Sequence, residues 1–179
     1  MSPRRPSALP ASVLVLGLLA ALLLPGPARA QGNPRQLILQ GERFLTMGKP
    51  QAAITEYGRV LECCEQSAVG AEAHNDTGVA YAQLGDLDQA MAHYQAAIDI
   101  ADYPLAWFNL GKALLKRRDL ARERGADPDP ADAERARGLL TRFRDWLAAA
   151  DPATLPRCIT WQRDEFEADL AKALKAAGE

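Results

Sequence analysis

Two histidines, three cysteines and two aspartates set between prolines are the side chains whose chemistry must be weighed first. His74 and His93 have no further histidine near them at metal-ligand spacing, and the patterns C-x2-C, C-x2-C-H and H-E-x-x-H are missing. So are the G-x-S-x-G nucleophile turn and the Gly-Lys-Ser/Thr loop that cradles phosphates. Asp127 and Asp129 alternate with Pro128 and Pro130 and lack the glycine and closing glutamate of a calcium loop, so they read as linker. His74 is expected to be a packing residue and His93 a solvated one. Asn75-Asp76-Thr77 satisfies the glycosylation pattern but falls inside a predicted helix. No catalytic residue, metal or cofactor is expected, which makes the chain a non-enzyme on this reading.

The first thirty residues look like an export signal rather than part of the fold. Arg4 and Arg5 precede an uncharged, mostly apolar stretch from Ala11 to Leu24, and Ala28-Arg29-Ala30 fits a small-residue cleavage site. The apolar run falls short of the roughly 18 to 20 residues that a membrane-spanning helix needs, so a retained anchor is the weaker alternative. Cleavage before Gln31 would leave no integral membrane anchor. Gln31 in place of cysteine also excludes a lipid anchor at that site. A periplasmic or secreted location follows as an expectation, and 16 arginines against five lysines suit a GC-rich bacterial source.

Without residues 1–30 the chain has 18 basic and 23 acidic side chains, a net −5, which argues against nucleic-acid binding by bulk charge. Its size fits one domain, and 48% hydrophobic with 25% charged residues is ordinary for a folded protein. The charge is unevenly placed. Residues 31–103 are acidic, 104–144 basic and 145–179 acidic again, a segregation that can orient a partner along an elongated surface.

Internal repetition decides the architecture. Aligning Gly41, Gly78 and Gly111 places Phe44, Tyr81 and Leu114 three residues later and Leu37, His74 and Trp107 four residues earlier. Ala53 and Ala90 follow the first two glycines at one common distance, with Tyr57 and Tyr94 four residues beyond them. Small residues let the two helices of a hairpin approach, and large ones fill the space beside the contact. Turn chemistry agrees: Gly85 ends a helix, Asp86 with Gln89 offers a capping box for the next, and Gly48 and Pro50 do the equivalent in the first copy. This pattern resembles the tetratricopeptide repeat (TPR), W-x2-L-G-x2-Y followed by A-x3-F and a closing proline, with 71–104 the best copy and 34–67 the second.

The third copy, 104–150, keeps Trp107, Leu110 and Gly111, but its next small packing residue, Ala136, comes late. An inserted loop at about 121–133 is therefore expected, with Asp129-Pro130 starting the next helix. Leu139, Leu140, Phe143, Trp146 and Leu147 then continue one helical face, and a capping helix over 156–179 closes the chain. The expected fold is all-α: a short right-handed α-solenoid of about three TPR hairpins plus that cap, with the repeats over 31–155. Tyr81→Ala is expected to cost about 3–5 kcal/mol as a truncated buried aromatic.

Cys63 occupies the place of Ile100 in the second copy, so it should be a buried apolar residue, with Cys64 pointing elsewhere and Cys158 opening the last helix. A bridge from Cys63 or Cys64 to Cys158 would have to cross about five helices at ~8–10 Å each. Bridged Cα atoms lie within about 7 Å, which disfavours it.

The resemblance implies an interaction module whose concave groove is lined by the first helix of each hairpin. On that basis the groove residues are Ile38, Glu42 and Leu45, then Asn75, Val79 and Gln83, then Phe108, Asn109, Lys112 and Lys116. Asn109, Lys112 and Lys116 are similar to the residues with which some family members hold a peptide carboxylate, although Glu42 and Asp76 depart from that pattern. The partner implied is a protein or an extended peptide, acidic or with a free C-terminal carboxylate, and not a nucleic acid. A scaffold or adaptor of the bacterial envelope is the first reading and an assembly factor or chaperone for an exported complex the second. A thiol-based redox protein working through the cysteines is the third.

Overall fold

The structure is a computed structural model, and it describes residues 32–151, 153, 155 and 163–178. The expected signal segment, its cleavage site and Cys158 lie outside the described residues. The helices are α1 (Pro34–Thr46), α2 (Pro50–Cys64), α3 (Ala68–Gln83), α4 (Leu87–Ala101), α5 (Pro104–Glu123), α6 (Pro130–Ala149) and α7 (Arg163–Ala177). None of the described helices is long and apolar enough to cross a membrane.

Local chemistry sets the helix ends. Pro34, Pro50, Pro104 and Pro130 open their helices at a position where a missing N–H is harmless. The side chains of Asn33, Ser67, Asp86 and Asp129 accept hydrogen bonds from first-turn amides. Gly85 takes the left-handed conformation after α3, with φ +82°, as expected of a helix-ending glycine.

Helices α1 with α2, α3 with α4 and α5 with α6 form three antiparallel hairpins, each packed on the next, and α7 docks on α5 and α6. Close backbone approaches run between α1 and α3, α3 and α5, and α5 and α7, whereas α2, α4 and α6 stand farther apart, with Arg135 of α6 reaching Gln95 of α4 only through its long side chain at 2.6 Å. The stack therefore curves with α1, α3, α5 and α7 on its inner side. This is the all-helical solenoid that the repeat pattern predicts.

Close approach within each hairpin depends on the aligned glycines. A methyl group built on Gly78 would fall 2.5 Å from Cε1 of Tyr94, one on Gly111 would fall 2.8 Å from Cγ of Leu140, and one on Gly41 would overlap the Tyr57 ring. The large residue filling that space thus comes from the second helix, where Tyr57 is fully buried and Tyr94 is 3% exposed. Tyr81 is only half-buried, stacked on the His93 ring at 5.4 Å, so the expected penalty for truncating it moves to Tyr94.

The expected inserted loop is a correction. Helix α5 continues to Glu123 and α6 begins at Pro130, so most of the extra residues add helical turns and only 124–129 connect them. Leu114, Leu115 and Arg118 keep the inner side of α5 buried, and Arg117 forms a two-bond ion pair with Asp132 that ties the two extensions together. Charged residues there looked like loop because their partners lie on the other helix.

Arg118 is 9% exposed and donates from Nη1 to the Ala176 carbonyl at 2.7 Å, satisfying one of the unpaired carbonyls at the end of α7. Asp119 balances its charge. Arg118→Ala should cost about 2–3 kcal/mol, the range for a hydrogen bond to a charged group plus lost packing. Urea melts would measure the loss, and limited proteolysis should find α7 cut first. Unchanged protection of α7 would mean that its apolar face alone holds it.

Cys63 is not the buried residue expected. Ala53, Tyr57, Val60 and Cys64 follow one another at helical spacing on the inner side of α2, which leaves Cys63 exposed and Cys64 half-buried. The sulfur atoms of Cys63 and Cys64 meet as a bridge between neighbouring residues, with Cα atoms 3.8 Å apart.

Candidate peptide-binding groove

Helices α1, α3, α5 and α7 bring the groove candidates to one side of the stack, but not all of them reach its surface. Ile38 is 2% exposed and belongs to the core of the first hairpin. Phe108 is 4% exposed, packed against Phe143 at 5.0 Å and Phe166 at 5.4 Å, so it too is core and not groove. Both residues are apolar and sit where the next layer covers them, which their place in the repeat could not reveal. Val79 and Leu45 are half-buried, while Glu42, Gln83, Lys112 and Lys116 are exposed.

Asn75 and Asn109 occupy matching places on α3 and α5. The Asn109 amide donates to Asn75 Oδ1 at 2.9 Å, and the Asn75 amide donates to Asp76 Oδ1 at 3.1 Å. Asn75 is buried, and so is Thr77, whose hydroxyl donates to the Ala73 carbonyl at 2.7 Å. A glycan on Asn75 is incompatible with that packing.

Charge divides the groove. At its α1–α3 end stand Glu42, Glu72 and Asp76, with Arg35 paired to Glu72. Burial pushes the Asp76 carboxyl up to about 7 against the opposing Asn75 hydrogen bond, and the charges of Glu72 and Glu42 push it further. Burial and Glu72 raise Glu42 in the same way, with Arg35 opposing.

The other end is balanced. Lys112 binds Asp169 of α7 at 2.6 Å, holding that carboxyl below its usual value, and its ammonium also lies 4.9 Å from the Phe108 ring centre. Lys112, Lys116 and Lys172 share a hollow of about 460 Å³ with Asp119, Glu123 and Asp169. The acid that Lys112 was expected to attract from a partner is supplied by the chain itself.

The raised Asp76 value has a consequence for folding. Because its folded value lies above the ordinary one near 4, the folded state holds the proton longer than the unfolded chain does. Stability is then full below about pH 4 and falls as pH rises to about 7. Asp76→Asn should abolish this slope and gain about 1–2 kcal/mol at pH 8, discounted for partial exposure, with no gain at pH 4. Paired urea melts of the two proteins would show it, and equal stability at pH 8 would mean that Asp76 is fully hydrated.

His74 and His93 lie away from these carboxylates but not apart from each other. Their Nδ1 atoms are 3.0 Å apart, and burial depresses both rings, so His93 is not the solvated residue expected. His74 is buried, as a packing residue should be, and Glu65 Oε1 stands 3.8 Å from its Nε2. Neighbouring helices create this pair, and only their side-by-side packing shows it. Among the described residues no group of three or more His, Cys, Asp or Glu side chains could hold a metal ion.

Comparison with known proteins agrees with the repeat. A family described as TPR repeat matches residues 78–117. Among solved structures, the chain is similar to the one titled "Crystal structure of MamA", with a TM-score of 0.51 and 18% identity over 81% of this chain and 76% of that one. No curated protein matches the sequence. At that identity the likeness speaks for the fold alone, and the hairpins, their glycine–tyrosine contacts and the family match together identify a tetratricopeptide repeat protein, a fold that serves as a protein–protein interaction module.

Proposed function

We propose that the protein is an exported scaffold or adaptor of the bacterial cell envelope, holding a protein segment or extended peptide along the inner face of its stack. The observation that carries this reading is the amide pair Asn75–Asn109, which bridges α3 and α5 between a carboxylate-rich end and a lysine-bearing end. Asn75 is buried and committed to Asp76 and Asn109, so the half-buried Asn109 is the amide of the pair left to donate to and accept from a peptide backbone whatever its sequence. Charged groups beyond them set its direction. Export is supported by the character of residues 1–30 and is tested by N-terminal sequencing, which should find Gln31 first; an intact Met1 in the membrane fraction would overturn it.

The groove itself is tested by photocrosslinking in the native host. A photoreactive residue at Gln83 or Lys116, both exposed on the inner helices, should capture a partner that one at Ala92, exposed on α4, does not. Capture from Ala92 alone would move binding to the outer face.

A further inference from the structure

The α1–α3 end of the groove departs furthest from charge balance. Glu72 and Asp76 lie one turn apart on α3 and so share a side of it, and Glu42 joins them from α1. Arg35 pairs with Glu72, while the group bonded to Asp76 is the neutral amide of Asn75. Three carboxylates thus share one guanidinium.

Beneath them lies an independent sign of an incomplete site. Tyr57 is fully buried against Gly41, and its hydroxyl is the buried side-chain polar atom left without a hydrogen-bond partner among the described residues. Burial first, and then the charges of Asp76, Glu42 and Glu72, push that hydroxyl's pKa up, so the three carboxylates lie within electrostatic reach of it. Nearly all buried polar groups in folded proteins are paired, so an orphan within electrostatic reach of three carboxylates calls for an explanation.

We propose that this end of the groove receives a lysine or arginine side chain of the bound peptide, its cationic head entering between Glu42, Glu72 and Asp76. The proposal rests on the groove reading above and adds the chemistry of one peptide position. A cation there relieves the repulsion among the carboxylates and favours their charged forms, which are better acceptors for the Tyr57 hydroxyl. Arg35 shows that a guanidinium fits against Glu72. The lysine end offers a partner's charge no comparable pull, since each ammonium there has a carboxylate in the same hollow.

Random twelve-residue peptides displayed on phage and panned at pH 8 against the immobilised protein should converge on sequences that share a lysine or arginine. Synthetic copies, measured by fluorescence anisotropy, should bind Glu42→Gln/Asp76→Asn about tenfold more weakly. The same peptides should bind Asp164→Asn/Glu165→Gln as they bind the unaltered protein, because that pair removes equal charge from the exposed first turn of α7. Helical circular dichroism checks the fold of both variants. Selected peptides rich in acids or lacking charge would overturn the cation site and leave the groove reading standing, as would basic peptides weakened equally by both variants. A library that yields no binder at all would overturn both.

Discussion

Tyr94→Ala is expected to cost about 3–5 kcal/mol, the range for emptying a buried aromatic site, whereas Tyr81→Ala should cost well under half as much. Tyr94 is 3% exposed, and its ring edge fills the space that Gly78 leaves open. Cutting it to a methyl leaves a cavity at the centre of the middle hairpin, where both outer hairpins lean. Neither can follow to close it, because each is tied to its own glycine contact. Tyr81 lies over His93 near the surface, and water can occupy what its truncation vacates. In a repeat stack of about 5–10 kcal/mol total stability, loss of Tyr94 should leave the protein largely unfolded at 37 °C. Urea melts with equal losses for the two variants would show that the register of α3 against α4 is wrong.

Gly70→Ala should do comparable damage, about 3 kcal/mol or more, although it adds only one methyl. That methyl would overlap the carbonyl oxygens of Glu65 and Cys64. Side chains can rotate away from an intruder, but these are backbone atoms, held by the turn that joins α2 to α3. Ser67 fixes the same turn by accepting from the Gly70 amide at 3.1 Å, so the backbone has no slack to absorb a shift. The first hairpin would have to pivot away from the second. Its own small core, around Leu37, Ile38 and Tyr57, would separate from Ala73. Gly58→Ala is the matching control, because a methyl there meets open space, and it should be neutral or slightly stabilising. Thermal melts in which the two alanine variants coincide would mean that the α2–α3 turn is softer than its geometry implies.

The architecture is legible in the amino-acid sequence. The glycine, alanine and tyrosine spacing, the first-turn prolines and the Asp86 and Asp129 caps act within or between adjacent helices, so their meaning is written in short stretches of chain. The sequence also marked the uneven charge that appears in the structure as an acidic end and a balanced end of one groove. Burial and pairing, in contrast, depend on which layer covers which face. Phe108 and Ile38 shared a helical register with groove residues and are buried instead, because α6, α7 and the neighbouring hairpin close over them. Lys112 found its acid in Asp169, His74 found His93, and the run after Leu120 became helix through Arg117 and Asp132. Each of these pairings joins residues on different helices, and no local period records them, since they arise only when the hairpins stack.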